Sequence, residues 1–289
     1  MIMKKKLHIS FSGGETSAYM VQWCLANLKG EYEMIVVFAN TGEENEQTLE
    51  FVKKCDDILG FNTVWVECVV DPEQGKGVRH KVVDFKTASR NGEPFEEMIK
   101  KYGISNQAYP HCTRVLKTDP MVSYTKNELG WKNYYTAIGI RIDEVDRINS
   151  NYEDLKFIYP LAQMKRTTKQ EINSYWSDMP FRLELKGYQG NCKACWKKSD
   201  RKLFTIALED ESAFDNMIKW EDKYYGKHPF KPAFYFFRKD RSGRQIIEQA
   251  KKNEFRLATD DSIETTYQPD MFDEDLDVGL GCGESCEPF

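Results

Sequence analysis

The residues with the most direct chemical reading are Ser12-Gly13-Gly14, which lie between a short apolar run (7–11) and a helical pattern (17–28). Two glycines after a strand and before a helix let backbone N–H groups converge on an anion, and the helix N-terminus adds about half a positive charge. Ser12, Thr16 and Ser17 add hydroxyl donors to the same turn. A tight turn whose Ser or Thr caps the helix is the plainer reading of these residues. Neither GxxxxGK[ST] nor GxGxxG occurs, which sets aside the ordinary P-loop and the dinucleotide fingerprint. A second pattern, Cys192-Lys193-Ala194-Cys195, lets one turn offer two sulfurs to a metal centre. The basic stretch Trp196-Lys197-Lys198 that follows would stabilise thiolates or an anionic cluster. The spacing also fits a structural zinc or a redox pair.

The elements that must position these residues alternate. A strand (7–11), the glycine turn and a helix are followed by a strand over 34–40, a helix over 46–60 and a third strand over 62–70. That rhythm predicts a doubly wound, mostly parallel α/β sheet of Rossmann-like type, with ligand at the carboxyl ends of the strands. A polar excursion over 71–112 interrupts it and carries a short helix near 94–102. A helix over 117–129 and a strand over 133–140, ending at Arg141 and Asp143, complete a domain over 1–165. Helical patterns then dominate a cysteine-containing lobe over 166–258, and 259–289 reads as a flexible acidic tail holding Cys282 and Cys286.

Composition narrows the setting. At 289 residues the chain can bury a full core without disulfide support. No apolar run approaches the ~20 residues of a membrane helix, and 7–11 is too short and too interrupted by His8 and Ser10 for a signal core. The expectation is a cytoplasmic protein with no membrane partner, whose eight cysteines are thiols or metal ligands. Cys24, Cys55 and Cys68 lie in apolar patterns and read as core. The net charge of −5 is unevenly placed: residues 259–289 hold ten Asp or Glu and no Lys or Arg. The preceding body has 41 Lys and Arg against 36 Asp and Glu, a mildly basic surface suited to an anionic nucleotide or a nucleic acid. His8 and His228 read as incidental, and Phe234-Tyr235-Phe236-Phe237 as a buried face rather than a base-stacking platform.

The segment SFSGGETSAYM (10–20) resembles the pyrophosphate-binding PP-loop of N-type ATP pyrophosphatases and adenosine phosphosulfate reductases. ANTGEENEQTLEF (39–51), GIRIDE (139–144) and Tyr159-Pro160-Leu161 resemble three further segments of the reductases, so the similarity spans nearly the whole chain. It implies that Ser10, Ser12, Gly13, Gly14, Thr16 and Ser17 bind phosphate, that Asn40, Thr41 and Gly42 lie near the nucleotide, and that Gly139 and Arg141 meet its anionic end. Arg141 would also act in catalysis. The sequence departs from the pattern where Thr16 and Asn40 replace Asp and Ile142 replaces a second Arg.

Cys112, in HCTRVLKTDP, followed by Cys192 and Cys195 resembles the cysteine arrangement of the iron–sulfur reductases. It implies a [4Fe-4S] cluster, with zinc as the alternative. Arg114 and Lys117 would supply charge to the cluster or the phosphates. His111, a tail cysteine such as Cys282, or an exchangeable site would complete the ligands. Cys282-Gly283 resembles the mobile tail thiol of the reductases, making Cys282 and Cys286 candidate nucleophiles as well as ligands.

Two activities follow from the resemblance. One is thiol- or cluster-based reduction of an adenosine phosphosulfate. The other is an adenylating, pyrophosphate-releasing sulfurtransferase that uses ATP with Mg²⁺ and a cysteine-persulfide donor on a nucleic acid or other acceptor. A nucleotide-binding module without turnover is the third.

Overall fold

The computed structural model describes residues 3–73, 75–190 and 192–264. Strands β1 (Lys5–Ser10), β2 (Tyr32–Asn40), β3 (Val64–Val70), β4 (Val78–Val83), β5 (Tyr135–Ala137) and β6 (Phe157–Ile158) form one sheet in the order β4-β3-β2-β1-β5-β6. Every pairing is parallel except β3 with β4. The chain winds outward from β1 to β2 and β3, then crosses to β5 on the other side. The crevice at the carboxyl ends of β1 and β5 is therefore the topological switch point, where open α/β sheets take their ligands.

Helices α1 (Glu15–Asn27), α2 (Glu46–Leu59), α3 (Glu93–Tyr102) and α4 (Asp119–Asn127) accompany the sheet, and α5 (Lys169–Ser177), α6 (Asp200–Glu209), α7 (Asp215–Tyr224) and α8 (Gly243–Lys252) follow it. Helix α2 stops where its sequence says it should: Gly60 takes the left-handed conformation (φ 66°) and its N–H closes on Asp56.

One core joins the sheet to the helices beside it through Leu7, Ile9, Phe11, Phe38, Phe51 and Trp176. A second core builds the lobe, where the Phe95 and Trp220 rings stack at 5.0 Å among Met98, Trp196, Leu203 and Phe214. Cys24, Cys55 and Cys68 are buried core residues, and burial pushes each thiol well above its ordinary range.

Several expectations shift. The strand read over 133–140 is shorter, Tyr135–Ala137; the Ile138 N–H still donates to the Ile158 carbonyl (3.0 Å) before Gly139 passes close to α1. The polar excursion contains β4, an antiparallel strand whose outer residues are polar or exposed. A π-turn over Arg114–Thr118 precedes α4, and α8 adds a helix the sequence reading had left unassigned. Of the aromatic run, Phe236 and Phe237 are buried as expected, whereas Phe234 and Tyr235 are half-buried.

The segment from α5 onward is fastened to the glycine turn through Glu15. Its buried carboxylate accepts from Arg182 Nε (3.1 Å) and Nη2 (3.0 Å) and from the Leu183 amide (3.1 Å), while Trp176 Nε1 donates to the Glu15 carbonyl (3.0 Å). Removing one member of a buried pair leaves the other uncompensated. Glu15→Ala should therefore lower unfolding stability by about 3 kcal/mol, read from the urea midpoint. A loss under about 1 kcal/mol would mean the pair behaves as an exposed one.

Candidate functional site

At the switch point, Gly13 takes φ 85°, and a Cβ there would lie 2.7 Å from Thr48 Cγ2 and 3.1 Å from Phe38 Cε2. Only glycine lets β1 turn into α1 this close to its neighbours. Helix α1 follows Gly14 at its N-cap, and no side chain caps the amides of its first turn. Ser12 and Ser17 face each other (Oγ–Oγ 2.8 Å), and Ser17 Oγ donates to the Gly14 carbonyl (2.9 Å). Ser10 does not join them. It is fully buried, with its hydroxyl toward Met121 Sδ (4.0 Å) under α4.

The loop after β5 closes the crevice from the other side. Gly139 passes so near α1 that a Cβ would stand 3.2 Å from Ser17 Cα. Two residues on, Arg141 Nη1 donates to Thr16 Oγ1 (3.0 Å), tying the loop to the glycine turn. Asp143 Oδ1 (3.0 Å) and Glu144 Oε2 (3.4 Å) hold the same guanidinium.

Beyond β2, Asn40 Nδ2 donates to the buried Glu67 carboxylate (2.7 Å) and to the Ser89 carbonyl (2.8 Å), and Asn40 Oδ1 accepts from Gly42 (3.2 Å). This accounts for Asn where the resemblance expects Asp: a second carboxylate would face Glu67. Thr41 donates from its amide and hydroxyl to Glu44. Glu44 then reaches the lobe, with Oε1 3.7 Å from Lys117 Nζ and 3.9 Å from Cys192 Sγ, and Lys117 Nζ is 4.0 Å from the same sulfur. Backbone contacts clasp the two loops together: Lys193 N–H donates to the Glu43 carbonyl (3.0 Å) and Asn45 Nδ2 to Gly190 (2.9 Å).

The structure thus gathers Ser12, Gly13, Gly14, Thr16, Ser17, Gly139 and Arg141 at the switch point. It places Asn40, Thr41, Gly42, Lys117 and Cys192 together at the end of β2. Arg114 instead projects into solvent, 3.9 Å from Asp119. Cys112 packs at the edge of the second core and its amide donates to Ser105 Oγ (3.2 Å). Among the described residues no three His, Cys, Asp or Glu side chains are disposed to hold a metal ion. Cys112, Cys192 and Cys195 form no such group among the described residues. Cys282 and Cys286 lie outside the described residues.

Two acids escaped the sequence reading, although E-E after a T-G turn at the end of a buried strand was a usable signal. Glu44 is the hinge just described. Glu43 is buried against the lobe: Asn216 Nδ2 donates to its Oε1 (2.5 Å), while Oε2 is buried without a partner among the described residues. Burial pushes its carboxyl up to about 7.

A doubly wound, mostly parallel α/β protein with a glycine turn at its switch point and a thiol clasped beside it is the class these features define. No family model matches the chain. It is 30% identical over 288 residues to the uncharacterized nin region protein ORF290 of Escherichia phage lambda, covering 97% of this chain and 94% of that protein, and it belongs to the same family. Over 135 residues it is also 30% identical to the uncharacterized protein MJ0973 of Methanocaldococcus jannaschii, covering 47% of this chain and 26% of that protein.

Asn40→Asp should cost about 3 kcal/mol by burying a second carboxylate against Glu67, and Asn40→Asp with Glu67→Gln should recover most of it, a coupling that a urea double-mutant cycle reads directly. For Glu43, the folded-state value of about 7 lies above the ordinary 4.5, so the folded chain keeps a proton the unfolded chain loses. Its contribution to stability therefore falls as pH rises through that window. Relative to wild type, Glu43→Gln should gain up to about 3 kcal/mol between pH of about 5 and about 8. A difference between the two proteins that stays flat across that range would reject the assignment.

Proposed function

We propose that this protein is an adenine-nucleotide-binding enzyme of sulfur chemistry, similar to the adenosine phosphosulfate reductases. The observation that carries the reading is the convergence at one edge of the sheet. The uncapped first turn of α1, the Arg141–Thr16 link and the Glu44–Lys117–Cys192 cluster all stand at the carboxyl ends of adjacent strands. The turn and Arg141 would hold the phosphates.

In the reductase reaction a cysteine thiolate attacks the sulfur of the bound phosphosulfate. The bond from sulfur to the bridging phosphate oxygen breaks, the nucleotide phosphate leaves, and S-sulfocysteine remains. A second thiol then attacks the cysteine sulfur, releasing sulfite and leaving a disulfide. The electrons come from the two thiols, so an external thiol must reset the protein.

One observation favours the adenylating sulfurtransferase as a second reading. Arg141 is already paired with Asp143 and Glu144, so two carboxylates stand beside the guanidinium that reaches Thr16 at the glycine turn. ATP carrying Mg²⁺ tolerates such carboxylates better than a bare anion does. The two reactions differ in product: sulfite in the first, pyrophosphate in the second.

Gly14→Asp tests the shared premise. Gly14 stands at the N-cap with φ −98° and ψ 162°, which Asp adopts readily as a favoured cap. The fold should survive while the new carboxylate occupies the phosphate position. By calorimetry, ATP with Mg²⁺ or adenosine phosphosulfate should bind wild type, and the variant should lose roughly 100-fold, about 2.7 kcal/mol. Equal affinity in a variant of unchanged urea midpoint would overturn the reading. Sulfite and pyrophosphate assays on the wild type then separate the two reactions.

A further inference from the structure

Two stretches of the chain are long, basic and free of acid. Residues 98–118 carry Lys100, Lys101, Arg114 and Lys117, residues 223–239 carry Lys223, Lys227, Lys231, Arg238 and Lys239, and neither contains an Asp or Glu. They are far apart in sequence yet pack on one another. Lys231 Nζ donates to the Tyr102 carbonyl, His228 Nε2 lies 3.1 Å from the Lys101 carbonyl, and Asn106 Nδ2 donates to the Tyr235 carbonyl (3.0 Å). Between them opens a small, solvent-open cleft of about 70 Å³.

The cleft is lined by rings as well as by charge. Tyr109 and Phe234 meet at 5.3 Å, and Lys231 Nζ lies 5.1 Å over the Tyr109 ring. His228 completes the wall, and beside it Phe230 is 80% exposed, its ring 6.3 Å from that of His228. An aromatic side chain so far out of the core contributes nothing to folding stability through burial. Charge at the rim is only partly neutralised. Glu96 takes Lys223 and Glu97 takes Lys100, whereas Lys227 is exposed with no acidic partner among the described residues.

Alternating rings and lysines around a cleft match a strand of unpaired bases, whose faces stack on aromatics while its phosphates run along the cations. A duplex hides its base faces and would use the lysines alone. We propose that this face docks single-stranded nucleic acid, with one base stacked against the Tyr109 and Phe234 edge of the cleft, the next on Phe230, and the backbone along Lys227 and Lys231. Along the chain, Tyr109 is followed by His111 and Cys112 and then by the π-turn that brings Lys117 to Cys192. The docking itself is independent of any nucleotide bound at the glycine turn.

The test is fluorescence anisotropy of a labelled oligo(dT) of about 20 nucleotides, long enough to span the face, titrated with the full chain between about 50 and 200 mM salt. Wild type should bind the single strand more tightly than a duplex of equal length. The double variant Lys227→Glu with Phe230→Ala should bind at least about tenfold more weakly, with a shallower salt dependence. Its urea midpoint and ATP affinity should match wild type. Absence of single-strand binding at low salt, equal binding by the double variant, or a preference for duplex would each overturn the proposal. Displacement of the oligonucleotide by inorganic pyrophosphate would also overturn it, by placing the strand at the glycine turn. Gly14→Asp should leave oligonucleotide binding intact, so failure of this inference and failure of the nucleotide reading give different results.

Discussion

The site depends first on how the first turn of α1 is held. A phosphate-binding turn needs its amides fixed in direction, yet the opening turn of a helix has no hydrogen-bond ladder of its own to fix it. Here the constraint comes from outside. The Glu15 carboxylate is buried against Arg182 and Leu183, and Trp176 donates to the Glu15 carbonyl, so the segment from α5 onward grips the turn. A negative charge in the first turn is also favoured by the helix dipole. The opposite side is set by Arg141 through Thr16. The turn is thus clamped between residues more than a hundred positions downstream, and its geometry belongs to the whole fold rather than to the glycine motif.

A second clasp does for the thiol what the first does for the turn. The β2 loop alone would present Thr41 to Glu44 to solvent. The backbone pairing of Glu44 with Cys192 and of Glu43 with Lys193 brings the cysteine loop to the end of the strand. Lys117 reaches the same place because the chain passes through a π-turn, a distortion that often accompanies functional sites. Holding a buried lysine, a buried glutamate and a thiol within about 4 Å of one another costs desolvation free energy that packing must offset.

How much of this was legible in the sequence varied with the locality of the signal. The parallel α/β fold, the glycine turn and α2 with its Gly60 stop were readable, because each is encoded within a few residues. Strand β4 was not, since an antiparallel edge strand with polar Arg79, His80 and Lys81 lacks the apolar run of a buried strand. Helix α8 did carry a local signal, the capping box of Ser242 with Gln245, which was overlooked behind a polar stretch. The partnership of Glu44, Lys117 and Cys192 joins three distant segments, and no spacing rule contains it. For the same reason the positions of Cys112, Cys192 and Cys195 along the chain did not determine where their side chains would stand.

Net charge was the least informative of the sequence observables, for a physical reason. At physiological ionic strength charges act over about 8 Å, so a ligand senses the patch it touches and not the sum over 289 residues. A chain of net charge −5 can therefore present a strongly basic face, provided its acids are kept elsewhere. In this chain the two acid-free stretches fold against each other, with Glu96 and Glu97 neutralising only Lys223 and Lys100 at their rim, and ten of the acids are placed after residue 258. Because the stretches meet only in the fold, the charge density of that face exceeds what either segment suggests alone. Such a face attracts an anionic chain at a rate and affinity that fall with salt, whatever the sign of the whole molecule.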